Sequence, residues 1–301
     1  MLSIASILVV VERNEDALPV FTKACTLARH FGARLELFMC DAERGYALRH
    51  AYDQAGAATA AASLVDDARG YLEALKRAVD VPELQITVDA SCESPMYQGI
   101  VQKVLMTGPD LVVKSIGAGD GSRPGPSLND WHLARTCPVP LLFMGRRPWR
   151  PSPRIAASID PTDDETPGFA RQIVDTARRF ASGCHGELEL VFGRAESAGV
   201  SLRDVPEGTE LQRLGSEFGV PPARVFTLVG DPPKVLPAFV GDQHYDVVAL
   251  GALTHRQGIT GLVGTLTDAL LQSASCDFLL LKPGTYTRLA EPVARPAAGR
   301  R

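Results

Sequence analysis

The 301-residue sequence has no apolar run near the ~18 residues that a membrane-spanning helix requires. It has no excess of positive charge. Its 31 Lys and Arg stand against 35 Asp and Glu, a net charge of −4, which argues against bulk electrostatic binding to nucleic acid or to an anionic membrane. Aromatic residues make up only 6%. The six cysteines (Cys25, Cys40, Cys92, Cys137, Cys184 and Cys276) form no CxxC pair, so reduced thiols in a cytoplasmic protein are expected and a zinc site is not. The N-terminus has neither a basic segment nor a small-residue cleavage site, and secretion is not expected. There is no GxxxxGK[ST] loop and no GxGxxG after a first strand. Without a GxSxG elbow, acyl transfer has no nucleophile.

What is present is a duplication. The run DLVVK (Asp110 to Lys114), a Gly-rich loop, a short helix and CPVPLLFM (Cys137 to Met144) recur as DVVAL (Asp246 to Leu250), a Gly-rich loop, a helix and CDFLLLKP (Cys276 to Pro283). The offset is 136 residues from Asp110 to Asp246 and 139 from Cys137 to Cys276, about half the chain. Two domains are expected, at 1–148 and 154–285. They are separated by the Pro/Arg-rich GRRPWRPSP (Gly145 to Pro153) and followed by a tail at 286–301 rich in Pro, Ala, Gly and Arg.

Each half reads as five strands alternating with four helices. SILVVVE, RLELFMC (Arg34 to Cys40), LQITVDA (Leu84 to Ala90) and DLVVK are strands of the first half. Helices fall near Leu18 to Phe31, Asp53 to Val79 and Tyr97 to Leu105, with Gly32 placed as a C-terminal cap. RIAASID (Arg154 to Asp160), ELELVF (Glu187 to Phe192), ARVFTLVG (Ala223 to Gly230) and DVVAL are the corresponding strands of the second half. Its helices begin near Phe169, Leu211 and Val235, the first closed by Gly183. Aliphatic strands without alternation are buried on both faces, and their alternation with helices predicts a doubly wound, five-stranded parallel sheet in each half. A ligand would sit at the carboxyl ends of the strands where the winding reverses.

The strand DVVAL runs into GALTHRQGITGLVGTLTDALL, which places Gly251, Gly258, Gly261 and Gly264 before a helix that opens with Thr265 and Thr267. Glycines let a backbone approach an anion, and a helix N-terminus favours negative charge. Thr265 offers a hydroxyl, and His255 and Arg256 offer positive charge. The same composition also fits a plain surface loop with glycines at its turns.

These elements resemble the universal stress proteins, most of all their tandem two-domain E type, from about Ser6 to Tyr286. The family's nucleotide loop, G-x2-G-x9-G-[S/T], is similar to Gly251, Gly264 and Thr265 here, with Thr254 in place of the second glycine. The resemblance implies two flavodoxin-like (adenine nucleotide α-hydrolase-like) domains forming an intramolecular pseudo-dimer. It also implies a second domain that binds ATP or a related adenine nucleotide, with Mg as a companion ion. Asp160 would contact the adenosine moiety, and the backbone near Val191 would contact adenine. Asp160 also reads as a helix cap or turn residue in SIDPTDD. Glu12 takes its place in the first half, where the glycine motif is missing and Pro124 and Pro126 interrupt the loop. The expected work is binding in a stress response, coupled to a regulatory protein partner, without catalysis. The alternative is a scaffold whose site has decayed. Asp130, Trp131 and His132 read as a helix cap and packing. His185 and His244 lack ligand-spaced partners, and Cys137 and Cys276 read as buried small residues.

Overall fold

A computed structural model of the chain describes residues 4–50, 54–116, 125–160, 167–194, 210–252, 265–273 and 276–283. The first half contains β1 (Ser6–Val10), α1 (Ala17–Phe31), β2 (Arg34–Cys40), α2 (Ala42–Arg49), α3 (Gln54–Val79), β3 (Ile86–Ser91), α4 (Met96–Thr107), β4 (Leu111–Ser115), α5 (Leu128–Thr136) and β5 (Leu141–Met144). The second contains β6 (Arg154–Ser158), α6 (Phe169–Gly183), β7 (Glu187–Arg194), α7 (Glu210–Glu217), β8 (Val225–Val229), α8 (Pro232–Gln243), β9 (Val247–Gly251), α9 (Thr265–Ser273) and β10 (Asp277–Leu281).

All ten strands form one sheet in the order β3-β2-β1-β4-β5-β10-β9-β6-β7-β8. Within each half the order is 3-2-1-4-5 and every pairing is parallel. This doubly wound order reverses direction between β1 and β4, and again between β6 and β9, which fixes the two places where a crevice can open. The strands are aliphatic because helices cover both faces. β1, β4, β5 and β10 are buried along their whole length.

The halves meet edge to edge. β5 and β10 pair antiparallel, with Leu142 opposite Leu279 and Phe143 opposite Phe278. The register makes Leu142 and Leu279 equivalent, since Leu142 sits beside Val113 and Leu279 beside Ala249. A local twofold axis therefore passes through that pair. On one face of the sheet α1 meets α6 across the axis, with Phe31 6.0 Å from Phe180 and His30 edge-on to His185 at 5.6 Å. Gly183 is placed for this approach: a Cβ there would lie 2.3 Å from Phe31 Cε1. It does not close α6 as expected from the sequence. Cys184 is the cap residue, and His185 takes the left-handed turn at φ 54°.

A buried polar clamp locks the seam. Asp277, at the start of β10, accepts from Lys23 Nζ of α1 at 2.5 Å, from the Gly145 amide at 2.8 Å and from Trp149 Nε1 at 2.7 Å. The connecting segment is thus packed between the halves, and Arg146 forms ion pairs with Glu15 and Asp16. The duplication also explains Asp110 and Asp246. Each stands before the fourth strand of its half and holds the start of the first strand, accepting from Ser6 N and from Arg154 N, both at 2.9 Å.

Short α2 departs from the expected pattern. Its sequence AERGYALR carries no apolar stripe, and it starts because the Asp41 carboxylate accepts the Arg44 amide. The strand expected over Cys137 to Met144 begins only at Leu141, after Pro138 and Pro140.

Candidate functional site

A cavity of about 220 Å³ opens at the second reversal point. Its walls come from the ends of β6 (Ser158, followed by Ile159 and Asp160), β7 (Phe192, Gly193) and β9 (Leu250, Gly251). Phe169 and Ile173 of α6 close one side, Pro232 and Leu236 of α8 another, and Leu266 and Thr267 of α9 the top. Thr267 Oγ1 donates to the Gly251 carbonyl at 2.9 Å, which ties the first turn of α9 to the end of β9. The positive end of that helix therefore borders the cavity. Gly251 is confined as well: a Cβ would come within 2.6 Å of Phe169 Cε1.

Of the residues singled out in the sequence, Asp160, Gly251 and Thr267 line this cavity, the first two at the ends of the neighbouring strands β6 and β9. Asp160 is exposed, and α6 is capped by Gly168 rather than by Asp160. Val191 does not line the cavity. It is 1% exposed within the core, and its carbonyl already accepts the Ile159 amide at 3.1 Å. The backbone beside the cavity belongs to Phe192 and Gly193, one and two residues further along β7. Thr254, His255, Arg256 and Gly264 lie outside the described residues, as do Gly258 and Gly261. Thr265 begins α9. The cavity combines apolar walls, one carboxylate and a glycine that admits no side chain. Among the described residues no group of three or more His, Cys, Asp and Glu could hold a metal ion.

The first half treats the equivalent point differently. Register places Lys114 where the second half has Leu250, and Glu12 where it has Asp160. The Lys114 side chain is 2% exposed. Its Nζ lies 2.5 Å from Glu12 Oε2 and 2.8 Å from Asp130 Oδ1. Burial alone would push Lys114 down, yet the Asp130 and Glu12 carboxylates outweigh it and hold the ammonium above its ordinary value. Asp130 is itself fixed by a capping box, accepting the Ser127 amide and hydroxyl, each at 2.8 Å. An internal cation thus answers, in the first half, the carboxylate whose counterpart in the second half lines the cavity. Lys114 was legible only as part of a strand; its meaning appears once the halves are superposed by register.

The remaining candidates have structural roles. Trp131 packs on the core beside Leu133, and His132 stacks on Tyr97 at 4.7 Å. His244 ends α8 in a left-handed turn, and its carbonyl accepts from Arg150. Burial raises the Cys276 thiol to about 12 and the Cys137 thiol as well, so both stay protonated near neutrality and are poor nucleophiles.

No family model matches the chain. It is 24% identical over 308 residues to universal stress protein E of Escherichia coli strain K12, covering 93% of this chain and 95% of that protein. It is 24% identical over 171 residues to the universal stress protein E homolog of Haemophilus influenzae, covering 51% of this chain. Its fold matches the crystal structure of a putative universal stress protein from Pseudomonas aeruginosa with a TM-score of 0.71 at 19% identity, covering 96% of this chain and 97% of that one. A universal stress protein from Archaeoglobus fulgidus matches with a TM-score of 0.65 at 13% identity, covering 94% and 99%. The duplicated fold and the near full-length similarity make the chain similar to the universal stress proteins in their tandem-domain form. Within that class the sequence similarity is to the E type.

Proposed function

We propose that the chain is a stress-response regulatory protein whose second half binds ATP or another adenine nucleotide, and that binding, not turnover, is its work. One observation carries this reading: the cavity at the β6/β9 reversal is lined by Asp160, by Gly251 and by the first turn of α9. Asp160 would take the ribose hydroxyls. Gly251, Gly264 and Thr265 would cradle the phosphates, with Mg if it accompanies them, and Thr254, His255 and Arg256 lie in the same loop. No general base stands among the described residues lining the cavity apart from Asp160 itself, so any hydrolysis would be slow. In this reading 1–148 and 154–285 are the two domains, 286–301 is a tail, and the setting is the cytoplasm. A regulatory protein reads the occupied state, and neither nucleic acid nor membrane is a partner. No described helix is long and apolar enough to cross a membrane.

Lys114 occupies the first half's reversal point, so one nucleotide per chain is expected. Calorimetric titration with ATP tests this. The expected stoichiometry is one. Asp160→Ala should weaken binding at least ~10-fold, the scale of one lost charge-assisted hydrogen bond. Gly264→Val should abolish binding.

A second reading, a scaffold whose site has decayed, is favoured by the size of the cavity. Its volume of about 220 Å³ falls below the ~300–1,000 Å³ usual for ligand clefts. Absence of heat with the native protein would establish the scaffold and end the nucleotide proposal.

A further inference from the structure

The two halves also differ at the opposite end of the sheet, where the strands begin. In the second half this corner is filled by the protein's own side chains. Arg154 Nη2 lies 2.9 and 3.1 Å from the two carboxylate oxygens of Glu189, and Nη1 donates to the Gln243 carbonyl at the end of α8 at 2.7 Å. The guanidinium sits 4.9 Å from the centre of the Tyr245 ring, whose hydroxyl donates to Glu189 at 2.5 Å. Register assigns each of these residues a counterpart in the first half. Ser6 stands for Arg154, Glu36 for Glu189, Thr107 for Gln243 and Pro109 for Tyr245. The carboxylate is kept, but the guanidinium and the ring are gone.

What remains is a cavity of about 280 Å³, lined by Ser6, Arg34, Glu36, Thr87, Thr107 and Pro109. Glu36 Oε1 is engaged by Lys103 at 2.6 Å. The Lys103 charge is answered by Asp89 at 2.8 Å as well, a carboxylate that it shares with Arg69 at 2.7 Å. The last carbonyls of α4 add the negative end of a helix dipole, which favours a cation as the end of α8 does in the second half. Arg34, at the start of β2, is exposed and has no ion pair among the described residues. The corner therefore asks for a cation at one end and an anion at the other.

We infer that this first-half cavity binds a small guanidinium compound carrying a carboxylate, a ligand of the free-arginine class. The guanidinium takes the place that Arg154 fills in the second half, on Glu36 and the end of α4, and the carboxylate pairs with Arg34. This site is separate from the nucleotide cavity and does not depend on it.

The test is calorimetric titration of the full chain, without nucleotide, using L-arginine, the uncharged isostere L-citrulline, and agmatine, which lacks the carboxylate. L-arginine should bind at one saturable site, with citrulline and agmatine each at least ~10-fold weaker, the scale of one charge-assisted contact. Ser6→Arg imports the second half's own occupant and should abolish binding. Glu36→Gln leaves the cavity open and should weaken L-arginine at least ~10-fold, which keeps the test decisive if Ser6→Arg folds poorly. No saturable L-arginine binding at millimolar concentrations overturns the inference. Citrulline binding as tightly as arginine, or full affinity in Glu36→Gln, overturns it as well.

Discussion

Replacing Lys114 by methionine keeps the stem of the side chain and removes only its charge. Asp130, whose side chain is 5% exposed, would be left in the core without a counter-charge. Glu12 is 31% exposed and can turn toward water, so its share of the loss is discounted. Breaking a buried pair by removing one partner costs about 3–5 kcal/mol. With the discount for Glu12 we expect about 3 kcal/mol, a large fraction of the 5–15 kcal/mol available to a typical domain. At a urea dependence of ~1–3 kcal/mol per molar, the unfolding midpoint should fall by ~1–3 M. Unfolding followed by circular dichroism and by fluorescence would show whether the loss is confined to the first half. Lys114→Met with Asp130→Asn removes the orphaned charge along with the cation and should recover at least half of the lost stability. A single-variant cost below about 1 kcal/mol, or no recovery in the double variant, would refute the idea that the crevice is held by this charge cluster. The pH profile adds a check. Lys114 is held above its ordinary 10.5, so its contribution is fully present below pH 10.5 and is lost only as pH rises through the higher folded value. The Lys114→Met deficit should therefore stay constant from pH 6 to 9.

Two further outcomes follow from the seam between the halves. Asp277→Asn leaves Lys23, 8% exposed, facing a neutral amide; it should cost about 3 kcal/mol and speed proteolytic cleavage between Gly145 and Pro153, and unchanged cleavage would show that the clamp is dispensable. Burial lowers Lys282 from 10.5 to about 8, so the unfolded chain binds more protons between those values and wild-type stability should gain up to about 3 kcal/mol from pH 8 to 10.5 relative to Lys282→Met; a flat difference across that window would refute it.

Much of this architecture was readable in the sequence because buried parallel strands have a plain signature. ILVV, DLVVK and DVVAL are too aliphatic to face water on either side, and repetition of the last two exposed the duplication. Gly32 read correctly as a left-handed cap, with φ 63°. Gly183 did not, because its role is a contact with Phe31, 152 residues away, and no local pattern records that distance. The edge-to-edge join was equally hidden: LLFM and DFLLL look like any buried strand, and nothing in them states which neighbour they take. At the cavity, Gly251 was named from the Gly-rich loop after its strand and Asp160 from the family resemblance, and both follow strands at the reversal point. Phe169 and Leu236 could not be found this way, because helices bring them there from positions with no motif. The backbone contact was expected near Val191, and the residues of β7 that line the cavity are the next two, Phe192 and Gly193.

The antiparallel pairing of Leu142 with Leu279 uses up one of the two strand edges that each half would otherwise offer to a second copy, and leaves β3 and β8 at the ends of the sheet. Because a covalent segment ties the partners together, their encounter is unimolecular and dilution cannot separate them. Concentration, which governs any pairing of separate chains, is thereby removed as a variable, and whatever signal this molecule carries must act on a pair that is always assembled.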